Sequence, residues 1–167
     1  MQTSEMLKIQ FEDGWQMLKQ FVEICPDALW SAENYGLPLW NHVMHTICGA
    51  AFWLRTDYNA EFQFDFPLPP QCAEKLQRDE WCTPADGCMT KAEVQACFAV
   101  LDERLAAFWA HLHDGMLHQK IWSDFDFTYL SVMISQIRHV MCHVGMCNAA
   151  LHEHGVAEVP WVAYGET

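Results

Sequence analysis

His139 and His143 are the residues best spaced for chemistry in this chain. They lie in the run His139-Val140-Met141-Cys142-His143, inside an apolar stretch that reads as the last helix. Residues at i and i+4 stand one above the other on a helix face, with Cβ atoms about 6 Å apart. Two imidazoles so placed reach one divalent ion. A third imidazole from another helix completes a site with an open coordination position, the pattern of catalytic rather than structural zinc. The chain holds nine histidines in 167 residues, so chance alone supplies about half of one such pair. The third ligand therefore decides what the pair means.

His42 and His45 offer it. They stand i and i+3 apart near the start of an earlier helical segment, and His45 follows the core position Met44. In a bundle, facing helices bring such flanking positions into one cleft, where three imidazoles from two helices bind a metal at about 2.0–2.1 Å. The other histidines fit less well. His111/His113 and His152/His154 are i, i+2 pairs, which diverge on a helix, and His118 falls in a loop. These five read as solvated surface residues.

Four segments carry the period that must position these groups. Leu7, Phe11, Trp15, Leu18 and Val22 form the first stripe, which ends at Cys25-Pro26 because the residue before proline leaves the α region. Trp40, Met44, Ile47, Ala51, Leu54 and Tyr58 form the second, after Pro38. The third follows a capping box at Thr90-Lys91-Ala92-Glu93 and runs through Val94, Phe98, Leu101, Leu105, Phe108 and Leu112. The fourth is capped by Ser123 or Asp124. It runs through Leu130, Ile134, Ile137, Met141, Val144, Asn148 and Leu151 to a terminating Gly155. Steps of 3 and 4 are those of near-antiparallel helices packed about 20° apart. The fold class expected is all-α: a four-helix bundle with a long crossover between helices 2 and 3, forming a single domain over 1–167. The crossover, from Asn59 to Met89, should hold a short helix near Ala73–Glu80. The tail Val156–Tyr164 should pack back on the bundle.

Composition narrows the partners. Half of the chain is hydrophobic, 51%, enough for a packed core. Nine Lys and Arg against 22 Asp and Glu give a formal charge of −13. No basic face is available for nucleic acid, and an acidic membrane surface is disfavoured. The segment Met1–Phe11 does not read as a secretory leader, and no apolar run of about 18 residues occurs. The eight cysteines lack any C-x-x-C spacing and read as thiols in a reducing cytoplasm.

Ile137-Arg138-His139-Val140-Met141-Cys142-His143-Val144-Gly145-Met146-Cys147-Asn148 resembles the R-H-V-x-H-H-x-G-x-L-N stretch of the DinB/YfiT-like superfamily. Trp40-Asn41-His42-Val43-Met44-His45-Thr46 resembles its earlier W-x-H-x-x-H-T stretch, and Pro160-Trp161-Val162 resembles an ending seen in one branch. The resemblance implies a DinB-like four-helix bundle whose metal ligands are His45, His139 and His143. It further implies a divalent ion, zinc or nickel, and a homodimer. The activity implied is a thiol S-transferase, isomerase or hydrolase acting with a low-molecular-weight thiol such as mycothiol or bacillithiol on a small-molecule substrate. The alternative is a non-enzymatic metal- or ligand-binding bundle, for instance a stress-related sensor. Cys142 departs from the adjacent histidine of that branch and reads as a core thiol. Asn41, Gln136 and Asn148 are candidates to orient the ligand imidazoles. The aromatic residues Trp40, Phe52 and Trp53 read as core.

Overall fold

The computed structural model describes residues 1–34, 36–78, 80–83 and 86–162. The first helix, α1, spans Thr3–Ile24 and stops at Cys25, whose ψ of 123° leads into Pro26. Its N-terminus is capped from far away. The Asp114 carboxylate accepts from the backbone of Thr3 and Ser4 at 3.1 and 2.8 Å, and from Ser4 Oγ at 2.7 Å. These bonds hold the Asp114 carboxyl below its usual pKa.

A one-turn helix, α2 (Asp27–Trp30), then leads to a two-residue hairpin not anticipated from periodicity, β1 (Glu33–Asn34) and β2 (Leu37–Pro38). Glu33 pairs with Pro38 and Asn34 with Leu37, antiparallel. Gly36 takes φ of 83°, which a side chain would disfavour. Pro38 directly precedes α3 (Leu39–Trp53), pre-setting its entry.

The long helices are completed by α5 (Lys91–His111) and α6 (Tyr129–Glu153), with the short α4 (Pro70–Gln77) in the crossover. Helix α1 packs along α6, α6 along α3, α3 along α5, and α5 returns to α1. The four helices thus close a ring around Phe11, Leu18, Phe21, Trp40, Met44, Ile47, Leu101, Phe108 and Met133, all fully buried. Each such side chain contributes about 1.5–3 kcal/mol of transfer free energy. At the α1–α6 crossing a Cβ on Gly14 would meet Met141 Sδ at 3.0 Å and Val140 Cγ1 at 3.2 Å, so glycine sets how closely these helices approach.

The bundle, the capping box at Thr90 and the C-terminal Gly155 (φ 68°) follow the sequence pattern. Four details do not. The second helix ends at Trp53, so Tyr58 lies outside it and instead donates its hydroxyl to the Trp53 carbonyl at 2.6 Å. The short crossover helix begins at Pro70, three residues before Ala73, because a proline at the first helical position costs no hydrogen bond. Helix α6 is capped by Thr128, whose side chain accepts from Ser131, and not by Ser123 or Asp124. Its buried face runs through Met133, Gln136, Val140, His143, Cys147 and Ala150; Val144 and Leu151 of the expected stripe are buried as well, but Leu130, Ile137, Met141 and Asn148 are only partly so and Ile134 is 45% exposed. Periodicity of apolar residues misplaced that face because a glutamine and a histidine occupy part of it.

In the tail, Asn148 clamps Val159 from both sides, Oδ1 accepting from its N–H at 2.9 Å and Nδ2 donating to its carbonyl at 3.1 Å. Val159 is buried, as expected of a tail that folds back, whereas Trp161 is 73% exposed; positions 163 and 164 of the tail lie outside the described residues. All eight cysteines are free thiols. Among the described residues no helix is long and apolar enough to cross a membrane.

Candidate metal centre

Helix α3 presents His45 and helix α6 presents His139 and His143, and the packing of α3 on α6 brings them together. One ligand nitrogen from each lies within 4.8 Å of the others. The ring centroids are 4.9 Å apart for His45–His139, 5.1 Å for His45–His143 and 4.8 Å for His139–His143. An ion bound at about 2.1 Å keeps two ligand atoms within about 4.2 Å. The widest separation allowed here closes to that value by about 0.6 Å, which small side-chain rotations supply.

The backbone makes room for this triangle. Gly49 lies one turn beyond His45 on α3, and a Cβ there would stand 2.8 Å from Cε1 of His139. The bare glycine lets the His139 ring lie against the helix that carries its neighbour. A glycine inside a helix costs about 1 kcal/mol relative to alanine, and the close approach of the ring explains its use here. The donor set also fits a divalent ion. It offers three imidazole nitrogens and no carboxylate, so an ion would keep its full charge and act strongly on whatever fills the open position.

Electrostatics agree. Burial pushes the His143 pKa down to about 3, helped by the neighbouring His139, His45 and His42. The imidazole is therefore neutral at physiological pH, with a lone pair ready for a metal. Two buried atoms on this face, Nδ1 of His143 and Oε1 of Gln136, make no hydrogen bond within the protein.

Two further residues complete the surroundings. The Trp81 ring lies over His45, with centroids 4.3 Å apart and planes 32° apart, and is 41% exposed. It comes from the crossover, which is pinned next to it where Asn41 donates to the Cys82 carbonyl at 2.8 Å in a buried bond. His42 is buried, with its ring 5.5 Å from that of His143, yet stands outside the three-ligand group. Sequence reasoning did not find Gly49 or Trp81. A glycine four residues after His45 was a usable signal. Trp81 had none, since only tertiary structure sets it above the site.

Other expectations are revised. Asn148 is engaged by the tail and Asn41 by the crossover. Gln136 alone of the three points at this cluster, its Oε1 3.9 Å from the position of a Cβ on Gly49. Cys142 is exposed, not core, because it lies on the opposite side of α6 from the buried face. Trp40 is core, whereas Phe52 and Trp53 are only partly buried and line a cavity. His111, His113, His118, His152 and His154 are all exposed.

A four-helix bundle with three histidines converging from two helices defines a class of protein compatible with binding a metal ion. The chain belongs to the DinB superfamily, whose model matches residues 10–147. No curated protein and no solved structure matches the chain significantly.

Proposed function

We propose that this protein is a divalent-metal-dependent enzyme of the thiol S-transferase or hydrolase type, with His45, His139 and His143 as ligands to zinc or nickel. The observation that carries the reading is the convergence of three imidazole nitrogens within 4.8 Å against a glycine-floored helix. A divalent ion there would supply Lewis acidity, lowering the pKa of a water to about 7 or holding a thiol deprotonated.

The chain's own residues do the rest. Burial keeps His143 neutral, so it offers its lone pair without first losing a proton. Gly49 fixes how near His139 comes to α3. Trp81 shields His45 from solvent on one side. His45 and His139 are only partly buried, which leaves the open position reachable by a small molecule.

Metal analysis of purified protein tests the reading. Wild type should carry close to one equivalent of zinc or nickel, and His139→Ala much less. Equal trace amounts in both would remove the basis for metal chemistry. Loss of thiol-transfer or hydrolytic turnover after chelation, restored by adding metal back, would separate an enzyme from a binding module.

A further inference from the structure

The face of α3 that carries His45 continues into a cavity of about 360 Å³. It is lined mainly by Gly49, Phe52 and Trp53 from α3, Phe62 and Phe64 from the crossover, and Leu76 from α4, with Cys48, Gln77 and Arg78 completing the wall. The aromatic walls brace one another, with Phe52 meeting Phe62 edge-on at 5.3 Å and Phe62 meeting Phe64 at 6.1 Å. The volume falls within the range of small-molecule sites, about 300–1,000 Å³, whereas an apolar cavity of about 150 Å³ already binds benzene.

Gly49 joins this cavity to the histidines. It lines the cavity wall, and it is also the residue against which the His139 ring rests. Helix periodicity aligns the two. Positions 45, 49 and 52 share one face, so the cavity lies along α3 from His45 and not behind it. At 1.5 Å per residue, Gly49 to Trp53 spans about 6–12 Å from His45 along the axis.

We infer that this cavity receives the apolar, ring-bearing tail of the substrate whose reacting end meets the three histidines. The inference rests on the metal-centre reading above and adds the substrate class: an elongated small molecule with a reactive polar head and an aromatic or branched aliphatic tail some 6–12 Å away. Transfer of such a ring from water into aromatic walls strengthens binding about 30-fold.

Hydroxamates test it, because the head chelates a divalent metal while the tail can be varied. Zinc-loaded protein would be titrated by calorimetry with acetohydroxamate and with a hydroxamate bearing a phenyl ring on a four-methylene chain. The phenyl compound should bind about 30-fold tighter. Gln77→Trp, at an exposed position on the cavity wall, should abolish most of that gain and leave acetohydroxamate unchanged; Phe62→Ala should reduce the gain as well. A tail that brings no gain, or a gain surviving both substitutions, overturns the tail site while the metal centre stands. If neither hydroxamate binds, and chelator-treated and untreated protein behave alike, the metal centre itself fails and the tail site with it.

Discussion

A Cβ on Gly49 would stand 2.8 Å from Cε1 and 3.1 Å from Nδ1 of His139, closer than carbon atoms tolerate. The ring would have to turn away from His45. We therefore expect Gly49→Ala to weaken zinc affinity by about 10–100-fold, the usual effect of disturbing what orients a ligand. Stability of the metal-free protein should change by less than about 1 kcal/mol, since alanine restores helix propensity. A chelator competition titration reads the first and thermal unfolding after chelation the second. Unchanged affinity would show that the ring has room the geometry denies it.

The depressed His143 pKa gives a signed pH dependence. The unfolded imidazole takes up its proton near pH 6.5, while the folded one resists until about 3. Between those values the unfolded state binds more protons, so stability of the metal-free protein falls as pH drops from 6.5 toward 3. The Cε1 proton of His143 should keep a flat NMR shift between pH 7.5 and 5. A midpoint above 6 would mean that water reaches this ring freely.

Trp81 offers an optical readout. Its ring sits 4.3 Å from that of His45, so a paramagnetic ion such as Cu²⁺ bound at His45 should quench its fluorescence. In Trp81→Phe the quenchable fraction should fall well below that of wild type at equal metal occupancy. Identical quenching in both would place the ion away from His45.

The sequence made the frame of this molecule legible because apolar residues mark helix faces by spacing alone. The stripe from Val94 to Phe108 on α5, continued by Leu112 just past its end, is the clearest case, every expected residue being buried. The convergence of His45, His139 and His143 was legible for a similar reason, since i, i+4 spacing and a flanking position on a second helix are local patterns. Where polar residues enter the buried face the pattern misleads. Gln136 and His143 sit inward on α6, and Ile134, which periodicity placed in the core, is turned out. Trp81 was invisible because its place over His45 depends on a crossover held by contacts far apart in the chain, such as Asn41 with Cys82.

Asn148 makes two bonds to Val159, and these tie the tail to α6 rather than orienting an imidazole. Asn148→Ala should cost about 1–2 kcal/mol and lower the unfolding midpoint by roughly 3–6 °C. Metal stoichiometry should stay at the wild-type value. Loss of metal at unchanged stability would instead support a role for Asn148 in orienting the histidines.

The bond from Asn41 to the Cys82 carbonyl has a kinetic meaning. Asn41 stands one turn before His45 on α3, so the cover above the site is fastened to the same rod that bears His45. Lifting the crossover would break a buried hydrogen bond, a local-unfolding event of microseconds to seconds. Swinging the Trp81 side chain alone takes picoseconds to nanoseconds. Rotation of the Trp81 side chain is thus the faster of these two ways to uncover His45, and the exchange rate of a small molecule at this centre should follow the size of the side chain at position 81.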